Sequence, residues 1–465
     1  MSDDPALMSA GALLGRYRDG SLSPVEATKA ALDRIDRFNP RLNAFNLVDH
    51  DAALAAARES EERWRLEVPR GRLDGVPVSI KDILLTKGWP TLRGSRTTNP
   101  DQDWDEDAPA VARLKEHGAV LLGKTTTPEF GWKGVTDSPL TGITRNPWNT
   151  DKTPGGSSGG ASAALAAGMG ALAIGTDGGG SIRIPAAFTG VVGHKPSFGR
   201  VPAYPLSPFG TVAHVGPMAR CVSDVALMLT VMAEPDARDW YALPYEGADY
   251  TTGLDDGVEG LRIAFSADLG GQRVEPEIAA LVSKAVKEFE ALGAVVEAAE
   301  PDVSGCGAAF QTLWYTGAAN LLRDYDTAKM ALIDPGLRDI AAQGAAASLS
   351  DYFAAVKVRE ALGVALNRFH ETYDLLLTPA LPLAAFDAGL EQPPDQGQDR
   401  WVDWTPFTYP FNLTQQPAAS VPCGLTSDGL PAGLQIVGPR YADSLVLRAA
   451  KAYETVAPMP VLTLA

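Results

Sequence analysis

The chain has 465 residues, of which 45% are hydrophobic and 21% are charged, with 46 glycines and 35 prolines. This balance is typical of a globular protein and excludes collagen-like repeats, coiled coil and disorder as the dominant state. The 57 acidic and 40 basic residues give a formal net charge of −17. Such a surface repels phosphate backbones and anionic lipids, so we expect neither nucleic-acid nor membrane binding.

The three cysteines are far apart and odd in number (Cys221, Cys306 and Cys423). This usage is typical of free thiols in a reducing compartment rather than of a disulfide framework. The acidic N-terminus, MSDDPALMSA, lacks the basic residues and apolar stretch of a signal peptide. We therefore predict a cytoplasmic protein, and the sequence also allows a homodimer.

Predicted helices and short strands alternate along the chain. Ser23-Pro24-Val25-Glu26 forms a capping box that predicts the start of a helix. The other predicted elements are, in chain order, helix 51–66, strand 76–81, helix 108–117, strand 119–122, helix 161–167, strand 171–174, a helix and a strand within 276–296, strands 375–377, 419–422 and 433–437, and helix 443–456. This alternation predicts an α/β fold, a single large domain with a mixed β-sheet flanked by helices. Residues 234–257 and 385–404 read as inserted loops, and the second is a candidate mobile lid.

The segment GAVLLGKT, residues 118–125, matches the phosphate-loop pattern G-x-x-x-x-G-K-S/T. That pattern binds phosphate only as a loop between a strand and a helix. Here the first glycine ends a predicted helix, and the middle of the segment is itself a predicted strand. We interpret Gly118 as a helix C-cap before a buried strand and do not expect a nucleotide site.

A second motif, Gly156-Ser157-Ser158-Gly159-Gly160, contains G-x-S-x-G with Ser158 in the position of an α/β-hydrolase nucleophile. That nucleophile directly follows an apolar strand, whereas the residues before Gly156 are polar and rich in turn formers. The fold would also need a downstream histidine, for which the candidates are His194, His214 and His370. An α/β-hydrolase with Ser158 as nucleophile stays an alternative.

Residues 154–196 hold two glycine-rich loops, GGSSGG and GTDGGGSIR, separated by a predicted helix and strand. Glycine costs conformational entropy on folding, so this density predicts that backbone must approach something closely. Successive N–H groups in the Gly-Gly-Gly-Ser turn can form a concave nest for a developing negative charge. Ser181, at the end of that turn, is well placed as an attacking nucleophile.

This stretch resembles the signature of the amidase signature family of serine hydrolases. The resemblance covers roughly half the chain and extends to residues 78–82, 118–130, 146–148, 199–202, 412–423 and 429–438. It implies that residues 1–465 form one amidase signature domain. The catalytic core would occupy about 70–224 and 409–460, and about 225–408 would be the variable region that selects the substrate.

The resemblance implies a catalytic set without histidine. Ser181 corresponds to the family's nucleophile, Ser157 to a bridging serine that follows a cis peptide bond, and Lys81 to the base. The oxyanion hole corresponds to the backbone N–H groups of Gly178, Gly179, Gly180 and Ser181. Two residues depart from the family's pattern, because Gly178 stands where a side chain is common and His194 where an apolar residue is usual.

Serine is a poor nucleophile at neutral pH, so a nearby group must take its proton. Lys81 can do so only when uncharged, and burial at a strand end would lower its pKa. Asp82 need not pair with it, since adjacent side chains of a strand point to opposite faces. Ser157 would then pass the proton between Lys81 and Ser181. Neither metal-ligand spacing nor a cofactor fingerprint occurs, so we expect no cofactor.

Asp177 and Arg183 flank the nucleophile, and we interpret them as a structural pair that fixes its loop. We place Ser158, Trp132 and Tyr315 among the residues that bind substrate or fix a loop. Aromatic residues gather in and beside the variable region: Trp132, Tyr204, Phe209, Trp314, Tyr315, Trp401, Trp404, Phe407 and Tyr409. We expect the pocket to include Trp132, the helix with Trp314 and Tyr315, and the loop before Trp404. Substitutions at Trp132, Tyr315 and Trp401 would then change substrate ranking.

The predicted function is hydrolysis of amide C–N bonds through an acyl-enzyme on Ser181. The aromatic residues favour bulky apolar or aryl amides, with aryl carbamates (urethanes) and esters as related small-molecule substrates. The main alternative is the glutaminase subunit of a tRNA-dependent amidotransferase complex, in which a partner would hold the tRNA. A catalytically silent binding module is disfavoured by the intact Ser-Ser-Lys set.

Overall fold

The computed structural model describes residues 4–394, 396–458, 462 and 464. The strands in this part of the chain are β1 (Phe45–Val48), β2 (Pro77–Lys81), β3 (Val120–Thr125), β4 (Asp137–Ser138), β5 (Gly142–Ile143), β6 (Leu172–Asp177), β7 (Val192–Lys195), β8 (His214–Ala219), β9 (Arg262–Phe265), β10 (Val295–Ala298), β11 (Leu375–Pro379), β12 (Ala418–Leu425) and β13 (Pro431–Val437).

The α-helices of the same residues are α1 (Ala10–Asp19), α2 (Pro24–Leu42), α3 (His50–Arg65), α4 (Pro109–Glu116), α5 (Gly159–Ala166), α6 (Arg183–Thr189), α7 (Val222–Met232), α8 (Pro276–Ala291), α9 (Cys306–Leu322), α10 (Thr327–Met330), α11 (Pro335–Ala346), α12 (Leu349–Phe369), α13 (Pro410–Leu413) and α14 (Asp443–Val456). Short 3₁₀ turns lie at Pro5–Leu7, Glu129–Gly131, Gly210–Val212 and Trp401–Trp404.

Eleven of the described strands form one mixed sheet, in the order β1-β3-β2-β6-β8-β7-β12-β13-β11-β9-β10. β2 is parallel to both of its neighbours, β3 and β6, whereas β6, β8, β7, β12 and β13 join antiparallel. Helices flank the sheet, with α6, α8 and α14 against β12 and β13 and α7 against β8. The predicted fold, a single domain with a large mixed sheet flanked by helices, is confirmed.

The sheet order explains where the site forms. The carboxyl ends of parallel neighbours lie at the same edge of a sheet, and β2 and β6 are such neighbours with Ile80 opposite Ile174. Lys81 ends β2 and Asp177 ends β6. The second glycine-rich loop of the sequence, which continues from β6, therefore begins near Lys81.

Local sequence signals account for most element boundaries. The capping box at Ser23 is present, with reciprocal hydrogen bonds to Glu26, and α14 has the predicted bounds. The segment GAVLLGKT is not a phosphate loop, because β3 begins at Val120 and pairs with both β1 and β2. Gly118 follows the end of α4 with a φ of +79°, and its N–H donates to the carbonyl of Lys115. The interpretation of Gly118 as the end of a helix is confirmed.

Candidate active site

Lys81 is fully buried at the carboxyl end of β2, where its amine contacts three hydroxyl groups. Its Nζ lies 2.7 Å from Ser157 Oγ, 2.8 Å from Ser158 Oγ and 2.8 Å from Thr176 Oγ1. Both serines come from the first glycine-rich loop, and the peptide bond between Gly156 and Ser157 is cis. Thr176 is the penultimate residue of β6, and its role at the site was missed in the sequence.

The surroundings of Lys81 favour an uncharged amine. Burial lowers the pKa of Lys81 well below its ordinary value, and the negative charge of Asp177 offsets only part of this effect. A hydroxyl group can donate as well as accept, so the three contacts suit a neutral amine that has two N–H donors and one lone pair. Lys81 therefore has the chemical character of a base.

Asp82 does not pair with Lys81, as the alternation of strand side chains predicts. Its Oδ2 accepts a hydrogen bond from Asn46, its Oδ1 accepts one from the N–H of Leu92, and the ammonium of Lys124 lies 3.7 Å away. The positive charge of Lys124 therefore balances the Asp82 carboxylate on the other face of the strand. Asp82 does not raise the pKa of Lys81.

The second glycine-rich loop forms the turn from Asp177 to Ser181. Within the part of the chain that the structure describes, the N–H groups of Gly178, Gly179 and Ser181 have no acceptor. The N–H of Gly180 differs from the prediction, because it donates to Asp177 Oδ1 at 2.8 Å. Three of the four predicted N–H groups are therefore available to an oxyanion.

Asp177 and Arg183 form a bidentate ion pair that is completely buried. Arg183 Nη2 lies 2.9 Å from Asp177 Oδ1, and Nε lies 3.0 Å from Oδ2. Burial by itself would raise the pKa of Asp177, but the adjacent guanidinium outweighs it and holds that pKa below its ordinary value. Asn412 bonds to both partners. Neither Asp177 nor Arg183 lines a described cavity, which agrees with a role in fixing the loop.

A cavity of about 560 Å³ opens beside Ser157, Thr176 and Ser181. Its walls are largely apolar and aromatic, and besides these three they include Ile83, Leu84, Arg93, Phe130, Gly131, Gly178, Phe198, Ala203, Tyr204, Pro205, Leu206, Ser207, Pro208, Phe209, Gly210, Thr211, Ala213, His214, Val215, Asp239, Tyr241, Trp314, Leu321 and Tyr325. The segment 203–213 supplies much of one wall. Sequence patterns did not single this segment out as a whole, although they pointed to Tyr204 and Phe209.

The predicted pocket residues Trp132, Tyr315 and Trp401 do not line this cavity, which corrects the sequence-based placement. Trp132 and Trp401 are 0% and 1% exposed and belong to an aromatic core. Tyr315 contacts Gln311 through its hydroxyl, and its neighbour Trp314 faces the cavity instead. No described residue of the candidate lid 385–404 lines the cavity either, and the end of that loop buries Trp404 in the same core.

The absence of a side chain at Gly178 has a structural explanation. A Cβ added to Gly178 would lie 2.8 Å from the Trp314 ring, so the indole fills the space that a side chain would need. Trp314 is fixed by a 3.0 Å hydrogen bond from its Nε1 to the carbonyl of Trp132, and it stacks on Phe209 with ring centroids 3.8 Å apart. Trp314, which lies in the predicted variable region, therefore contacts the turn from Asp177 to Ser181 directly.

Ser158 lacks the setting of an α/β-hydrolase nucleophile. No described strand precedes it directly, and its fully buried Oγ contacts Lys81 Nζ, the N–H of Thr176 and the carbonyl of Thr176. Among the described contacts, no histidine is bonded to it. Ser158 instead contacts the Lys81 amine at 2.8 Å.

The three candidate histidines have structural partners. His194 Nε2 lies 3.2 Å from Asp443 Oδ1 on α14. This contact explains why a histidine stands here, where the family usually has an apolar residue. His214 Nδ1 lies 3.1 Å and 2.8 Å from the carbonyls of Asp177 and Val212, and burial lowers the pKa of this imidazole well below its ordinary value. His370 contacts the carbonyl of Tyr373.

Comparison with known proteins decides the family. A family model described as Amidase matches residues 26–447, which is most of the chain. The chain belongs to the amidase signature family. It is therefore an amidase signature hydrolase that acts on amide C–N bonds. The described residues contain no group of three or more His, Cys, Asp or Glu side chains placed to hold a metal ion.

Amidase signature relatives of two kinds are similar to this chain. A glutamyl-tRNA(Gln) amidotransferase subunit of Myxococcus xanthus is 38% identical, covering 95% of this chain and 96% of the relative. Acylamidase of Rhodococcus erythropolis is 37% identical, and the match covers 97% of this chain and 96% of the acylamidase. The crystal structure of a bacterial aryl acylamidase of the amidase signature family superposes with a TM-score of 0.90 and 33% identity, covering 97% of this chain and 96% of that chain. No helix of the described residues is long and apolar enough to cross a membrane.

The contact between Gly178 and Trp314 predicts a coupled effect of mutations. Gly178→Ala should lower the free energy of unfolding by about 1–3 kcal/mol, because the new methyl group overlaps a fixed indole ring. In a Trp314→Leu background, Gly178→Ala should lower the free energy of unfolding by less than half as much, because the smaller leucine side chain can move away from the new methyl group. Urea denaturation of the two single variants and the double variant measures this coupling. Equal costs in both backgrounds would contradict the prediction.

Proposed function

We propose that this amidase signature enzyme hydrolyses aryl and other bulky apolar amides through an acyl-enzyme on Ser181. The observation that carries the proposal is the buried Lys81 amine, held by hydroxyl groups alone, beside an apolar cavity that contains Ser157 and Ser181. Aryl carbamates and esters are secondary substrates, since all three acyl classes form the same kind of tetrahedral intermediate.

The proposed reaction uses Lys81 and Ser157 as a proton relay. The lone pair of Lys81 Nζ takes the proton of Ser157 Oγ, which in turn takes the proton of Ser181 Oγ as that oxygen attacks the amide carbonyl carbon. The carbonyl oxygen becomes an oxyanion that the free N–H groups of the Gly178–Ser181 turn stabilise. Ser157 then donates a proton to the amide nitrogen and regains one from Lys81, the C–N bond breaks and the amine leaves.

Water completes the cycle by the same relay. It attacks the ester carbonyl of the acyl-enzyme while its proton passes to Ser157, and the Ser181 oxygen leaves with a proton returned by the relay. The contacts of Ser158 and Thr176 support this scheme because they orient the Lys81 amine toward Ser157. In this proposal both are positioning residues.

The composition of the cavity wall supports aryl and bulky apolar substrates. Phe130, Leu206, Phe209, Trp314 and Leu321 all contribute to it, and burying an aromatic ring against such a surface is favourable. The aryl acylamidase named above has the same fold at 33% identity. We therefore propose aryl amides as the substrate class of this chain as well.

The second candidate is the glutaminase subunit of an amidotransferase complex, favoured by the 38% identity to the Myxococcus xanthus protein. Glutamine has a short aliphatic chain and no ring or bulky apolar group, so it would bury little of the largely apolar wall. The purified chain alone should hydrolyse an aryl amide such as an acylated aniline. Turnover of glutamine only, and only with partner subunits present, would overturn the proposed function in favour of this candidate.

Ser181→Ala should abolish turnover of aryl amides and leave the fold intact, because it removes one hydroxyl from the cavity surface. A fluorophosphonate should label the wild-type protein once, at Ser181, as peptide mass spectrometry would detect. Circular dichroism of the variant serves as the control for folding. A label on Ser158 would contradict the proposed nucleophile and revive the α/β-hydrolase alternative.

The lowered pKa of Lys81 predicts the pH dependence of catalysis. The base works only when deprotonated, so kcat/KM should rise with pH through the apparent pKa of Lys81 and reach a plateau on the alkaline side. Lys81→Ala should lose several orders of magnitude on amides, roughly the 10²–10⁴-fold expected of a general base or more. It should lose less on activated esters, whose leaving groups need less protonation. Full amide turnover by Lys81→Ala would refute the relay.

The position of Trp314 predicts where substrate preference is set. Trp314→Leu should change the ratio of kcat/KM for aryl and small aliphatic amides by roughly tenfold or more, because it removes a cavity wall. Tyr315→Leu is the matched control, since it changes the next residue of α9, which does not line the cavity. We expect this control to leave the ratio unchanged. If Tyr315→Leu shifts the ratio and Trp314→Leu does not, the assignment of the wall is wrong.

A further inference from the structure

Arg93 is held close to the candidate catalytic serines by its backbone. Its carbonyl accepts a hydrogen bond from the N–H of Phe130 at 2.7 Å. The next residue after Phe130 is Gly131, where an added Cβ would lie 3.2 Å from Ser157 Oγ. Arg93 and the turn around Phe130 therefore form part of the same cavity wall as Ser157.

The guanidinium of Arg93 has no protein partner. Among the residues that the structure describes, none accepts a hydrogen bond from it or forms an ion pair with it. The Asp82 carboxylate interacts electrostatically with Arg93. However, this carboxylate already accepts hydrogen bonds from Asn46 and Leu92 and lies 3.7 Å from the Lys124 ammonium. The cluster of Asp82, Lys124 and Arg93 thus carries one positive charge in excess.

The other ionisable groups of the cavity wall do not compensate this charge. Asp239 accepts hydrogen bonds of 2.8 Å from the N–H groups of Ala203 and Tyr241, and it is not among the groups that interact electrostatically with Arg93. Burial lowers the pKa of His214, which leaves that imidazole neutral. The remainder of the wall is apolar or carries neutral hydroxyl groups.

Arg93 is half-buried in the cavity wall, and a guanidinium that loses part of its hydration without gaining an ion pair is destabilised. Its planar set of N–H donors matches the two oxygens of a carboxylate. We propose that Arg93 forms an anion subsite of the cavity, so that the preferred substrates are aryl or bulky apolar amides that also carry a carboxylate. This inference rests on the proposed function and narrows its substrate class.

A pair of substrates of similar shape and different charge tests the subsite, because the intrinsic reactivity of each substrate cancels when the same ratio is compared between wild type and variants. Anilides with a para-carboxylate are compared with anilides bearing a para-nitro group, which is planar and similar in shape but neutral. A second pair carries the same two substituents on the acyl group, since the subsite can serve either side of the scissile bond. The measured quantity is the ratio of kcat/KM for the charged and the neutral member of each pair.

Arg93→Met should lower this ratio by roughly tenfold or more for at least one pair, because it removes a charge-assisted hydrogen bond. The neutral substrates should change by less than about twofold. Arg93→Lys, which keeps the charge without the planar donors, should give an intermediate ratio. Arg96→Met is the matched control, since Arg96 is exposed three residues away and does not line the cavity.

The outcomes separate the subsite from the proposed function. A ratio that is the same in wild type, Arg93→Met and Arg93→Lys would overturn the subsite while aryl amide turnover stands. Parallel losses on charged and neutral substrates would overturn it too, by showing that Arg93 only supports the turn around Phe130. If the wild-type protein hydrolyses none of the anilides, the proposed function fails first and the subsite fails with it.

Discussion

The site depends on a lysine amine that is buried without a carboxylate to keep it charged. Three lysines of the described chain are completely buried, and their partners distinguish them. Lys124 has the carboxylate of Asp82 nearby and the carbonyl of Leu84 as an acceptor. Lys195 donates to the carbonyls of Pro196 and Gln416, which can only accept. Lys81 contacts only hydroxyl groups, which can donate in return. Lys124 also contacts the hydroxyl groups of Thr86 and Thr91, so Lys81 is the one among these three with neither a carboxylate nor a carbonyl among its hydrogen-bond partners.

The neutrality of Lys81 in turn depends on how Asp177 is neutralised. Asp177 is the acid that raises the pKa of Lys81, and an unpaired carboxylate there would favour the ammonium form. The Arg183 guanidinium donates to both carboxylate oxygens of Asp177. The N–H groups of Gly180 and Ile182 donate to the same two oxygens. The same contacts fix the turn that carries Ser181. One buried ion pair therefore shapes the Gly178–Ser181 turn and shields Lys81, the base of the proposed reaction.

The alternation of helices and strands was enough to predict the fold class, because it depends on local patterns. The glycine-rich loops and the strand that ends at Lys81 could also be read locally, but their grouping around Lys81 came from the resemblance to the amidase signature family. The pocket was beyond such reasoning. Trp314 and Tyr315 are adjacent on α9 and differ by about 100° in direction, so only the packing of the helix decides which of them faces the cavity. The same holds for Trp401, whose ring is needed in the core behind Gly179.

Packing around the oxyanion turn also changes how the variable region must be understood. A Cβ on Gly178 would meet Trp314, and a Cβ on Gly179 would meet Phe310 and Trp401 at 2.7 and 2.8 Å. All three rings come from the part of the chain that the sequence resemblance assigns to substrate choice. Interiors are close-packed, so a change of ring size there is transmitted to the backbone N–H groups that face an oxyanion. In the proposed mechanism, substrate selection and oxyanion geometry are therefore physically coupled. A variant selected for a new acyl group should then need compensation at Gly178 or Gly179, although neither residue belongs to the variable region.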